Sequence, residues 1–118
     1  MKTVLVIEDE ENLLDLYVDE FKIAGYEVCR AATGREAIEC VRKYNPDLVI
    51  LDLLLSDMQG LNVLEEIKSI NKDIPVIINS AYSTYKADFS TWMADDYVVK
   101  SSEISVLIDR ARSIVSPF

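Results

Sequence analysis

Hydrophobic positions along the chain fall into two alternating patterns. Short runs that are almost wholly apolar and β-branched, beginning with Thr3-Val4-Leu5-Val6-Ile7, read as strands buried on both faces. Between them, apolar residues recur at intervals of three and four, the period of a helix with one buried stripe. Leu13, Leu14, Tyr17, Val18 and Phe21 keep that period, and Gly25 stops the helix in the expected place. A second strand covers about residues 27–31. Thr33-Gly34-Arg35-Glu36 is a capping box, and Ala37, Ile38, Val41 and Tyr44 carry the helix that follows it. Asn45-Pro46 breaks that helix. Leu48-Val49-Ile50-Leu51 is the third strand and ends on Asp52. Leu61, Leu64, Ile67 and Ile70 mark a third helix, Pro75 precedes strand four (Val76-Ile77-Ile78), and Tyr97-Val98-Val99 is strand five. Ile104, Leu107, Ile108, Ala111 and Ile114-Val115 mark the last helix.

Strands that alternate with helices imply an α/β fold, here a five-stranded parallel sheet, doubly wound, with helices on both faces. The chain reads as one domain over residues 1–118. Residues 83–94, between strands four and five, are the exception to the clear periodicity. Thr84, Tyr85, Asp88, Phe89, Ser90, Thr91 and Trp92 are mediocre helix formers, so the fourth helix is expected to be short or irregular. Phe89 and Trp92 read as packing on the sheet, with a surface for a partner protein as the alternative.

Charge narrows the classes of partner. The 118 residues carry a net charge of −9 and half are hydrophobic. Such a surface disfavours direct contact with nucleic acid or with anionic membranes. No apolar run approaches the roughly 20 residues that span a bilayer, and no signal-peptide core is present. The expected location is cytoplasmic, with Cys29 and Cys40 as reduced thiols. There is no His, so His-based catalysis and His metal ligands are excluded.

In doubly wound sheets the site lies at the carboxyl ends of the strands. Here those ends carry Glu8-Asp9, Asp52, Ser80 (with Asn79 before it) and Lys100. Three converging carboxylates repel one another, and a hard divalent cation relieves the repulsion. Oxygen ligands without His or Cys select Mg2+, Mn2+ or Ca2+, and Mg2+ suits phosphoryl transfer. Asp52 is then a nucleophile able to form an acyl phosphate. Lys100 supplies a positive charge and Ser80 a hydrogen bond to the phosphoryl oxygens. Each acid alone could equally be a solvated loop residue or a helix cap, with Asp9 the candidate cap of the first helix. The set of five is what argues for chemistry. A phosphate-cradling cofactor loop does not fit the run Glu8-Asp9-Glu10-Glu11. A phosphohydrolase with an Asp nucleophile usually has a second Asp two residues on, where Leu54 stands.

Over essentially its whole length the sequence resembles the receiver domains of two-component response regulators. The carrying motifs are Val6-Ile7-Glu8-Asp9-Glu10, Pro46-Asp47-Leu48-Val49-Ile50-Leu51-Asp52, Gly60, Ser80-Ala81 and Asp95-Asp96-Tyr97-Val98-Val99-Lys100. The resemblance implies the flavodoxin-like (βα)5 receiver fold and a phosphoacceptor that assists its own phosphorylation and dephosphorylation, not an enzyme with a separate substrate. By it, Asp52 takes the phosphoryl group from a phosphohistidine on a sensor histidine kinase or phosphotransfer protein. Glu8, Asp9, Asp52 and the backbone carbonyl of Leu54 hold Mg2+, or Mn2+. Ser80 and Tyr97 form the switch pair, Lys100 is the family lysine, and the output passes to a downstream effector. A phosphorylation-independent interaction module of the same fold is the competing expectation. The chain departs from the family pattern at Glu8, where Asp is common, and at Ser56 and Ser101, where Pro is common.

Overall fold

The computed structural model describes residues 1–81, 94–100 and 103–118. Of the short fourth helix expected over residues 83–94, all but Ala94, including Phe89 and Trp92, falls outside the described residues, as does Ser101. Within them, the chain alternates as its hydrophobic pattern predicts: β1 (Thr3–Ile7), α1 (Glu11–Ile23), β2 (Glu27–Ala31), α2 (Gly34–Tyr44), β3 (Leu48–Leu51), α3 (Gly60–Ile70), β4 (Val76–Ser80), β5 (Asp96–Val99) and α4 (Ile104–Ile114).

The five strands pair in parallel in the order β2-β1-β3-β4-β5. Strand order reverses at β1, whose two neighbours are β2 and β3. Successive side chains of a strand point to opposite faces, and each face here is covered by helices. Val4, Val6, Leu48, Ile50, Ile77 and Val98 pack under Leu14, Tyr17, Val18 and Phe21 of α1 and Leu107, Ile108 and Ala111 of α4. Leu5, Ile7, Val49, Leu51, Val76, Ile78 and Tyr97 pack under Ala37 and Val41 of α2 and Val63, Leu64 and Ile67 of α3. Two buried faces are why the central strands β1 and β3 carry no polar alternation, whereas edge strand β2 exposes Glu27 and Arg30. Fully burying each such side chain contributes about 1.5–3 kcal/mol.

Local signals in the sequence set the element ends. Thr33 accepts from the Glu36 N–H at 3.1 Å, while the Glu36 carboxylate reaches back to the Ala32 N–H at 2.9 Å. Asn45 ends α2 in the left-handed region at φ 44°, and Gly25, at φ 106°, turns the chain after α1. The cap of α1 is Glu10, without a side-chain hydrogen bond, so Asp9 does not serve as its cap. The ladder of β4 runs through Asn79 and Ser80, which pair with Val98 and Val99, two residues beyond the apolar run. No helix among the described residues is long and apolar enough to cross a membrane.

Gly60 opens α3 against the loop that follows β3. Its N–H donates to the Leu53 carbonyl at 3.0 Å. A methyl group there would stand 2.4 Å from the Leu53 Cα and 2.9 Å from the Asp52 carbonyl oxygen. Those neighbours are backbone, so relief requires moving Asp52 itself. Gly60→Ala should therefore destabilise the fold by about 1–3 kcal/mol, the usual cost of overpacking. Urea unfolding should register this as a lower midpoint; an unchanged midpoint would show that the loop can yield.

Candidate functional site

The carboxyl edge of the sheet collects the predicted residues. Glu8, Asp52 and Lys100 each stand one residue beyond a strand, and the backbone ladder extends to include them. The Glu8 N–H donates to the Ala31 carbonyl at 3.1 Å, Asp52 N–H to Ile7 at 3.1 Å and Lys100 N–H to Ser80 at 2.7 Å. Alternation then sends all three side chains to the α1/α4 face, where Val6, Ile50 and Val98 also point. Ser80 follows the opposite parity, with Ile78 and Tyr97.

Oxygens of Glu8, Asp9 and Asp52 lie within 4.8 Å of one another. Glu8 and Asp52 are buried, at 2% and 4% exposure, whereas Asp9 is exposed. The Lys100 ammonium bridges the two buried acids. It lies 2.5 Å from Glu8 Oε1 and donates to Asp52 Oδ2 at 3.0 Å. Glu8 Oε1 is fully buried and meets the ammonium as an ion pair without the alignment of a hydrogen bond. The other Asp52 oxygen accepts from the Leu54 N–H at 3.2 Å. Three carboxylates with oxygens this close, and no His or Cys among them, are an all-oxygen donor set that fits a hard divalent cation. Ser80 is fully buried, Tyr97 is already inside at 3% exposure, and the Leu54 side chain is 47% exposed.

A family model for the response regulator receiver domain matches residues 4–112. The chain belongs to the response regulator receiver family. Among curated relatives, it is 34% identical over 115 residues to the probable transcriptional regulatory protein TcrX of Mycobacterium tuberculosis, covering 96% of this chain and 49% of that one. It is 35% identical to the probable transcriptional regulator ycf27 of Porphyridium aerugineum, covering 95% and 47%. The receiver thus spans about half the length of the curated relatives it matches. Among solved structures, the response regulator TrrA of Thermotoga maritima, in complex with Mg2+ and BeF, superposes with a TM-score of 0.91 at 40% identity over 98% of this chain and all of that one. The same regulator in complex with the histidine kinase ThkA gives a TM-score of 0.89.

Two features of this receiver went unread in the sequence. Asp57, in the loop after β3, caps α2 from outside: its carboxylate accepts from the Gly34 N–H at 2.8 Å and the Arg35 N–H at 3.0 Å. The Gly34 bond leads the effects that hold its carboxyl below the usual range. An Asp in a turn is a weak signal, because many such residues cap only their own chain. The second is a buried bond from Asn79 Nδ2 to Tyr17 Oη at 3.0 Å. Tyr17 has the spacing of an ordinary core residue, which hides its hydroxyl's partner.

Burial pushes the Glu8 carboxyl above the usual range, more than the Lys100 ammonium and the Glu10 N–H draw it down. Burial disfavours the charge on Lys100, but Glu8 and Asp52 outweigh it and hold the amine above its ordinary value. A raised amine pKa means the folded chain binds that proton more tightly than the unfolded chain. The resulting stability is full below the unfolded lysine value and is lost as pH rises through the folded one. The stability that comes from the raised Glu8 carboxyl is largest in acid and is lost as pH rises through that group's own raised value. Lys100→Met leaves two buried acids facing each other, and should cost about 3–5 kcal/mol at neutral pH. Urea midpoints for wild type and variant should keep their gap up to about pH 10.4, the unfolded lysine value, and converge only as pH rises further, through the raised folded value. A gap that stays constant into that range would contradict the ion-pair account.

Proposed function

We propose that this receiver accepts a phosphoryl group on Asp52 from a phosphohistidine of a sensor histidine kinase or phosphotransfer protein. The observation that carries the reading is the environment of the Asp52 carboxylate. It is buried at the end of β3, within 3.0 Å of the Lys100 ammonium and beside the Glu8 and Asp9 oxygens. The kinase complex of the similar regulator TrrA supports this class of donor. A module that binds partners without phosphorylation would have no use for two buried acids and a buried ammonium, which are costly to maintain.

Glu8, Asp9, Asp52 and the Leu54 carbonyl would hold Mg2+, or Mn2+ in its place. Such an ion, when bound, neutralises charge on the phosphoryl oxygens. Asp52 Oδ attacks phosphorus and becomes the acyl phosphate while the bond to the donor nitrogen breaks. Lys100 moves its positive charge from the bare carboxylates toward the phosphoryl oxygens. Ser80 would donate its hydroxyl to one of them. Tyr97 shares the Ser80 face: its strand partner is Ile78, two residues before Ser80. Ser80 and Tyr97 therefore form the proposed switch, in which a hydroxyl drawn toward the phosphoryl group changes the packing beside Tyr97. Energy for it comes from contacts made in one state and not the other. The reading places the whole of residues 1–118 in one receiver domain, in a cytoplasmic phosphorelay, with a downstream effector that reads the switched surface. The net charge of −9 disfavours direct nucleic-acid contact by this domain.

Incubation with acetyl phosphate and Mg2+, followed by intact mass, tests the assignment. Wild type should gain one phosphoryl group, and Asp52→Asn none. Asp9→Ala should bind Mg2+ more weakly and phosphorylate more slowly. Equal labelling of Asp52→Asn would falsify the assignment of the acceptor.

A further inference from the structure

The α1/α4 face of β4 carries a polar pair where the neighbouring positions are apolar. Asn79 and Tyr17 are 3% and 5% exposed and hydrogen-bonded across the space between β4 and α1. Their surroundings are Val6, Leu14, Ile50, Ile77, Val98 and Leu107. A buried polar pair of this kind gains little over an apolar pair of the same shape. Its value lies in fixing one arrangement.

Two chains of contact lead from this pair to the site. Asn79 precedes Ser80, whose carbonyl holds the Lys100 backbone N–H at 2.7 Å. Asn79 also pairs with Val98, two residues before Lys100 and on the same face. From the other side, α1 begins directly after the loop of Glu8, Asp9 and Glu10, so Tyr17 ties that loop's helix to β4, whose Ser80 carbonyl accepts from the Lys100 backbone N–H. Alternation puts Asn79 on the same sheet face as Val98 and Lys100, and the bond to Tyr17 lies on that face.

We propose that the Tyr17–Asn79 hydrogen bond is a positioning device for Lys100, holding its ammonium in register between Glu8 and Asp52. The inference rests on the phosphoacceptor reading above and adds two residues to it. Neither touches the phosphoryl group; both act through Lys100. The ammonium must lie within hydrogen-bond reach of two acids on different strands, so a small shift between α1 and β4 misplaces it. Misplacement by about an ångström can lower a rate by as much as 10²-fold.

The test is a set of variants in the intact chain: Tyr17→Phe, Asn79→Val, and the two combined, each with and without Lys100→Met. The single Tyr17→Phe change leaves the Asn79 amide without its partner, so it should lower both stability and rate. The combined variant leaves no unpaired polar group, and its urea midpoint should return close to wild type. Phosphorylation is then followed with acetyl phosphate at saturating Mg2+. The combined variant should react about tenfold more slowly at saturating donor, with Mg2+ affinity, titrated with the metal alone, little changed. The Lys100 ammonium resonance should shift in the combined variant before any donor is added. In the Lys100→Met background the pair should have no further effect on rate. A combined variant that phosphorylates at the wild-type rate, or one that slows Lys100→Met as strongly as wild type, overturns the positioning role while leaving the function intact. A wild-type chain that takes no phosphoryl group overturns both.

Discussion

Two carboxylates buried at one sheet edge are the constraint around which this receiver is arranged. Glu8 and Asp52 are almost without solvent, and their oxygens lie within 4.8 Å of each other. At that separation two like charges repel by roughly 3–4 kcal/mol for an effective dielectric constant near 20, and each also loses hydration worth several kcal/mol. No arrangement of apolar side chains offsets this. A cation has to reach between them, and in this structure it is Lys100. The strand order brings β1 and β3 together and places β4 and β5 beyond them, so the lysine enters from across the sheet.

The fold was legible because its strands are buried on both faces. Val4 to Ile7 and Leu48 to Leu51 leave no doubt about type, and the punctuation at Thr33, Asn45 and Gly25 does the rest. Strand four is apolar only over its first three residues, Val76, Ile77 and Ile78. Asn79 and Ser80 interrupt the apolar run, but they keep the ladder through Val98 and Val99. Their polarity belongs to the strand's working end and does not mark a turn. The candidate site was legible for a related reason: polar residues at the ends of apolar strands stand out. What was not legible was pairing across the sheet. The sequence suggested Glu8 as a metal ligand and Lys100 as a phosphoryl contact, yet in the structure they meet each other at 2.5 Å. No spacing rule connects residues on β1 and β5. The Asp57 cap and the Tyr17–Asn79 bond were hidden likewise, since each joins elements that only the tertiary fold brings together.

Alternation within the strands also divides labour between the two faces of the sheet. Glu8, Asp52, Asn79 and Lys100 point toward α1 and α4, whereas Ser80 and Tyr97 point the other way. In the proposed reading, charge is managed on one face and the conformational response is read on the other. The two meet at β4, where neighbouring residues serve opposite faces: Asn79 is bonded to Tyr17, and Ser80 follows at once. If β4 moves as a unit when the Ser80 hydroxyl is drawn toward Asp52, the Asn79 position would be loaded as well. The same rigidity that positions Lys100 would then carry the response of Ser80 into α1. A sheet with an apolar residue at position 79 would keep its packing but lose that directional tie, since dispersion contacts resist compression without fixing a register. In the proposed reading, the buried polar pair would then link the face that holds the charge to the strand that answers to it.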